Sequence, residues 1–440
     1  MYLAYRGFSV IVIAPLLALL ATFLQGEQGL MGTYTQIFMT SLGSFAVKYF
    51  PIFLLGAIFG KLLEVSGSAS SIARTLIAGF GKRFTIPAIV LSCGLLTYGG
   101  VSAFVVAFSV FPLAAAAFSQ AGLPRQLIPG CIALGAFTFS MTCLPGTIQI
   151  HNLIPMTYFG TDAYAAPLLG ILAGSGMLGA GLWWLQRRSL IVENIAPADT
   201  ASLLEGNKNE PHCALALAPI VLVIVLNLVL AKNIIPKWDL SYLSDSKFSP
   251  SDTNSLGGMW AMILALFFTN VFTIAIHWRR IRNVSNTLAE GAMSSLLPTL
   301  NTASEVGYGA TIKSLAAFAI IKTWMTNISP NPLITEVASI NVLAGITGSA
   351  AGGLSIALAA LGETFSKMGA EASISPEIMH RLASMASGGL DTLPHNGAVI
   401  TLLTVCGLSH KQSYKDIAVV SLVIPFLITA LSVLVVSLLL

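Results

Sequence analysis

Two short stretches of this sequence carry groups that could hold a small anion and move a proton. Leu144-Pro145-Gly146-Thr147 and Asp391-Thr392-Leu393-Pro394-His395-Asn396 each place a proline in apolar surroundings. Proline lacks a backbone donor and clashes with the preceding turn, so a helix breaks there and frees N–H and C=O groups. Two glycine pairs offer the same opening, Gly99-Gly100 and Gly352-Gly353. Small hydroxyl and amide side chains gather at all four places: Thr97, Ser102, Thr142, Thr147, Gln149, Asn152, Ser349, Ser355, Thr392 and Asn396. The N-terminus of a half-helix presents partial positive charge, which suits an anion. Asp391 is a formal charge inside an apolar stretch, where charge is costly and therefore a candidate for function. His395 beside it could share a proton. Glycines outside the breaks, such as Gly174 and Gly176, are read as packing positions.

The elements that hold these groups must lie in lipid. The chain has 440 residues, 55% hydrophobic and only 9% charged, with a mean hydropathy of +0.83. A soluble domain carries roughly 25% charged residues, so an ordinary soluble enzyme, a nucleic-acid binder and a disordered chain are excluded. The net charge of +4 argues for no polyanionic partner. Five scattered cysteines form neither a disulfide framework nor a metal site. The apolar run from Phe8 to Leu24 is read as a membrane span rather than a signal peptide, with Gln25-Gly26-Glu27 as its exit.

A helix needs about 20 apolar residues to cross a bilayer. Ordinary spans are expected at 8–25, 45–64, 163–185, 214–231, 256–278 and 417–440, with a more polar one at 286–305. Segments 69–82 and 311–325 are short and amphipathic, which suits the interface. Residues 84–124 carry no formal charge and read as a helical hairpin turning at Gly99-Gly100, and 126–158 as a broken helix. The second half repeats this, with a hairpin over 333–362, charge-free from 337 and turning at Gly352-Gly353, and a broken helix over 376–406.

Four matches between the halves occur in the same order at offsets of 241, 253, 252 and 249, from Glu64/Glu305 to Pro145/Pro394. An odd number of crossings before residue 256 inverts the second copy. The expected fold is an all-α polytopic membrane protein of two inverted repeats with helical hairpins and broken transmembrane helices. Its parts are 1–185, a cytoplasmic linker 186–212, and 213–440 with one extra transmembrane helix. With the N-terminus inside and the C-terminus outside, fourteen Lys and Arg fall on the cytoplasmic side and seven, Arg381 among them, on the external side.

Inverted repeats with interrupted helices are the build of secondary transporters. Thr97, Gly99, Gly100, Ser102, Thr142, Gly146, Thr147, Gly352, Gly353, Ser355, Thr392 and Asn396 are expected to line the substrate site, with Asp391 and His395 coupling it to protons. A sodium-coupled carrier, a passive anion channel and an intramembrane enzyme are the other classes open to such a chain. No metal helix, phosphate loop or soluble catalytic domain is visible, and no cofactor is called for.

The stretches Leu96-Thr97-Tyr98-Gly99-Gly100-Val101-Ser102, Leu144-Pro145-Gly146-Thr147 and Gly388-Gly389-Leu390-Asp391-Thr392-Leu393-Pro394-His395-Asn396-Gly397-Ala398-Val399 resemble the gluconate/3-hydroxybutyrate permease (GntP-type) family of the ion-transporter superfamily. The similarity runs from about residue 40 to the C-terminus. It implies proton-coupled symport of a small hydroxy-carboxylate by an inner-membrane permease, with a scaffold and a moving transport domain. One departure is Thr142, where the family pattern has an acidic residue. Partners are then the organic anion, H⁺ and the lipid bilayer. A homodimer is compatible with this reading, and no nucleic acid enters it.

Overall fold

The computed structural model describes residues 10–26, 29–81, 84–192, 210–245, 253–394 and 396–439, and within these every regular element is helical. Six helical stretches are long and apolar enough to cross a membrane. We number α1 Val10–Leu24, α2 Leu30–Val65, α3 Ser68–Phe80, α4 Thr85–Tyr98, α5 Ala103–Ala121, α6 Ile128–Ala136, α7 Ile150–Phe159 and α8 Pro167–Ser189. After these come α9 Cys213–Val229, α10 Thr253–Ile276, α11 Val284–Ser314, α12 Phe318–Thr326, α13 Pro332–Thr347, α14 Ala350–Glu371, α15 Pro376–Ser387, α16 Gly397–Cys406 and α17 His410–Leu439. Prolines open α8, α13 and α15, where a missing N–H costs nothing. Glycines in the left-handed conformation close α5, α7, α13 and α16.

The order α1, α2, α3, hairpin α4–α5, broken helix α6–α7, α8 recurs as α10, α11, α12, hairpin α13–α14, broken helix α15–α16, α17, with α9 the extra helix between. The structure sharpens the register of the repeat. Ser102 and Ser349 precede the second helices of the hairpins, and Gln149 and Asn396 precede the second halves of the broken helices. Both pairs are 247 residues apart. The second hairpin therefore turns at Gly348-Ser349, not at Gly352-Gly353 as the glycine pairs suggested. Gly352 and Gly353 lie inside α14, where a Cβ on Gly353 would stand 2.2 Å from the Ala344 backbone. The pair permits close helix contact instead of making the turn.

Equivalent elements that touch run antiparallel, so the copies are inverted. In the α2–α11 pair, Gly291 faces Ile58 and Gly307 faces Phe38. The first broken helix begins where the second ends, with Arg125 donating to the Cys406 carbonyl at 2.9 Å. It ends where the second begins, with Thr161 bonded to His380 at 2.6 Å. The first helices of the two hairpins have 14 and 16 residues, fewer than a full crossing needs, which is the build of a re-entrant hairpin. Apolar side chains such as Val47, Leu168, Leu172 and Leu438 point outward, as lipid contact requires.

The basic residues gather at one end. Lys61 meets Glu290, Arg74 meets Glu210 and Arg188 meets Asp416 there, while Lys232–Asp162 and Lys313–Glu363 mark the other end. Arg6, Lys82, Arg83, Lys208 and Lys247 lie outside the described residues. Arg381 departs from its expected place in an external segment: it is fully buried inside α15. Its distance from a span end could not show whether its side chain reaches water, and packing against α7 decides that it does not.

Candidate functional site

Each hairpin tip is fastened to the break of its own repeat by one amide. In the first copy Gln149 Nε2 donates to the Thr97 carbonyl at 2.7 Å. In the second, Asn396 Nδ2 donates to the Gly348 carbonyl at 2.9 Å and to the Asp391 carbonyl at 3.0 Å. The two breaks then meet where the broken helices cross. Ser384 Oγ donates to the Thr142 carbonyl at 2.8 Å, and a Cβ on Gly388 would stand 3.0 Å from the Thr142 methyl. These contacts bring four helix N-termini into one region, those of α5, α7, α14 and α16. Four positive dipole ends around one place form a field that favours an anion.

The first tip is built around glycines whose backbone conformation any other residue would strain. Gly100 has φ +91 with Ile148 packed on its open face, and Gly146 has φ +79 against the Tyr164 ring. Tyr98 donates its hydroxyl to the Pro145 carbonyl at 2.7 Å, a second tie between tip and break. Gly99 lies under Ile220 of α9. Ser102 is exposed, and its side chain makes no cap bond at the start of α5. Thr97 is buried with its hydroxyl unpartnered. Thr147 is buried beside the start of α7, its carbonyl accepting from Asn152 at 3.0 Å.

The second copy engages its polar groups more fully. Thr392 Oγ1 donates to the Ser421 carbonyl at 2.9 Å, and Tyr414 donates to the Thr392 carbonyl at 3.1 Å, which anchors the break on α17. Asn396 caps α16 by accepting from Val399 N at 2.9 Å. Asp391 is buried, and its Oδ1 has no hydrogen-bond partner among the described residues. Ser355 is buried on α14 with an unpartnered hydroxyl. His395, the expected assistant of Asp391, lies outside the described residues.

Three groups that the spacing did not single out belong to the same region. Arg381 donates from Nε and Nη2 to the Ala165 carbonyl, from Nη2 to the Ala163 carbonyl, and from Nη1 to Asn152 Oδ1 at 2.8 Å. It locks the start of the second broken helix onto the end of the first. Glu305 was expected at a span end, but its carboxyl is buried against Gly352 in the first turn of α14. Glu336 on α13 is wholly buried, with both carboxyl oxygens unpartnered among the described residues. A signal for it existed in the sequence, since it stands one residue before the charge-free run that begins at 337. Among the described residues no group of His, Cys, Asp and Glu is arranged to hold a metal ion.

Comparison with known proteins agrees with this architecture. No family model matches the chain. It is 42% identical over 442 residues to an uncharacterized transporter, YxjC, of Bacillus subtilis (strain 168), covering 96% of this chain and 93% of that one. Its fold is similar to the crystal structure of the YdaH transporter of Alcanivorax borkumensis, described as having an unusual topology. That match has a TM-score of 0.59 and 15% identity, over 97% of this chain and 98% of the other. Inverted repeats, re-entrant hairpins and crossed broken helices thus stand beside close sequence similarity to a transporter, and the chain belongs to the transporter family that includes YxjC.

Proposed function

We propose that the protein is a secondary transporter that carries a small organic (hydroxy-)carboxylate, such as gluconate or 3-hydroxybutyrate, together with protons. The observation that carries this reading is the meeting of four helix N-termini with a buried Asp391, its Oδ1 without a partner among the described residues, at the crossing of the breaks. The dipole ends suit a carboxylate, and a buried acid with an open oxygen beside them suits a proton. The resemblance to gluconate/3-hydroxybutyrate permeases favours hydroxy acids over other anions.

The substrate would bind between the first tip and its break, at Thr97, Gly99, Gly100, Ser102, Gly146 and Thr147, with Thr142 at the crossing. Gly352, Gly353, Ser355, Thr392 and Asn396 shape the second side, and Asp391 with His395 takes the proton. Substrate and proton bind together because an anion and the Asp391 carboxylate repel each other. The repeats 1–185 and 213–440, joined by a cytoplasmic linker 186–212, would rock around this region in an inner membrane. The basic end faces the cytoplasm in this reading. Reporters active on opposite faces, fused within 186–212 and after Leu440, should therefore respond oppositely.

Purified protein in proteoliposomes tests the function. Labelled gluconate and 3-hydroxybutyrate should accumulate when the outside is made acidic. Accumulation driven only by a sodium gradient would replace proton coupling with sodium coupling. Entry that never exceeds equilibrium under either gradient would make the protein a channel.

A further inference from the structure

Glu336 lies near the start of α13, the first helix of the second hairpin. Its side chain is 0% exposed, and neither oxygen finds a donor among the described residues. Ser339, one helical turn on and on the same side of α13, is also 0% exposed with an unpartnered hydroxyl.

The helices packed on α13 are α12, α14, α15 and the Ile424–Leu439 part of α17. The last carries no ionisable residue, and α12 carries Lys322 in its sequence. On α14, Glu363, Lys367 and Glu371 are exposed. On α15, Glu377 accepts from Ala166 N, while His380 and Arg381 turn to α7 and the loop after it. Among the described residues no cation pairs with Glu336.

A bare carboxylate is strongly disfavoured in such surroundings. The group therefore calls for a bound cation or a proton. A hard metal ion wants about six oxygen ligands, whereas the helix carbonyls here are spent in their own ladders. Among the described residues, the open side-chain oxygens on α13 are the two of Glu336, the Ser339 hydroxyl and Asn341 Oδ1, fewer than such an ion wants. A proton needs one oxygen. Farther along α13, Asn341 Oδ1 faces Gly389, so the same helix touches the second break just before Asp391.

We propose that Glu336, with Ser339 beside it, is a second proton-binding site of the transport cycle. It takes one H⁺ from water to become the carboxylic acid when buried as here. It returns that H⁺ to water, becoming the carboxylate, when the packing around α13 opens. This rests on the proton-coupled reading above and adds a stored proton separate from the one at Asp391.

Infrared spectroscopy of the full chain in lipid tests it without needing a substrate. The wild-type protein should show a carboxylic-acid C=O band that shifts in D₂O and disappears in Glu336→Gln but persists in Asp391→Asn. Glu336→Asp, which keeps the acid, should restore a band at a shifted position. A band unchanged by Glu336→Gln, or a carboxylate at all pH values, would overturn the proposal. In proteoliposomes with labelled gluconate and 3-hydroxybutyrate, Glu336→Gln should lower pH-driven accumulation by about tenfold or more, a usual size for coupling between sites. Exchange of substrate for substrate should fall far less, and accumulation with wild-type pH dependence would also overturn the proposal. If the wild type carries neither anion, the symport reading falls while the infrared titration still decides for or against Glu336.

Discussion

The first copy of the repeat is electrically bare where the second is charged. At an offset of 247 residues, Glu305 corresponds to Ile58, Glu336 to Ile89, Arg381 to Leu134 and Asp391 to Leu144. The helix starts differ in the opposite sense. Ser349 and Asn396 cap α14 and α16 with their side chains, whereas α5 and α7 begin with no side-chain cap. Uncapped N-termini leave N–H groups for an anion, and unpaired buried acids leave places for protons. One geometry used twice thus offers two chemistries. The fold is symmetric and the polar groups at the breaks are not, which fits the symport of unlike partners proposed above.

The largest effect should come from the matched pair Arg381 and Leu134. Arg381→Met removes the bonds to Asn152, Ala163 and Ala165 that interlock the two broken helices. Leaving buried acceptors unsatisfied costs about 1–3 kcal/mol each, and Ala165 O loses both of its bonds to Arg381. We expect a loss of roughly 2–4 kcal/mol and little folded protein in the membrane. Leu134→Met keeps volume and polarity and should cost less than about 1.5 kcal/mol. Melting curves of the two variants in detergent compare them directly. Equal melting points would mean that the buried charge does not join the copies.

Next is Asp391→Asn, which keeps shape while fixing the neutral state. Asn396 holds the Asp391 backbone carbonyl rather than its carboxyl, so the break itself should survive. The variant should exchange substrate across the membrane but fail to concentrate it under a pH gradient, a loss of about tenfold or more. Accumulation with unchanged pH dependence would make Asp391 structural and move coupling to Glu336 or Glu305.

The hairpins, breaks and inversion are legible in the sequence because they leave marks that chemistry demands: charge-free length, Leu-Pro steps, paired glycines and an odd count of crossings. What is not legible depends on packing. Gly99-Gly100 does turn the chain, since Gly100 adopts a positive φ, but the similar Gly352-Gly353 serves close approach to Ala344 and Glu305. The same dipeptide answers two different constraints. Glu336 and Arg381 lie near predicted span ends, where a long side chain can reach water. Only the helices around them show that neither does. Thr392 looked free to meet a ligand, yet its hydroxyl is turned to Ser421 of a helix 29 residues away.

The smallest effect, and the most direct reading of the asymmetry, compares the serines that open α5 and α14. Ser349 Oγ accepts from Gly352 N at 3.0 Å, a regular N-cap, and is only part-exposed. Ser349→Ala should therefore cost about 1 kcal/mol of stability. Ser102 occupies the equivalent place but is exposed and makes no cap bond, so Ser102→Ala should leave the stability within about 0.5 kcal/mol of wild type. Binding should reverse the ranking. If the anion sits at the open start of α5, stabilisation of the protein by gluconate or 3-hydroxybutyrate should weaken in Ser102→Ala more than in Ser349→Ala. Thermal shifts across a concentration series of each anion give both quantities from one set of samples. Equal weakening in the two variants would place the anion between the copies, and weakening only in Ser349→Ala would assign it to the capped, charged half instead.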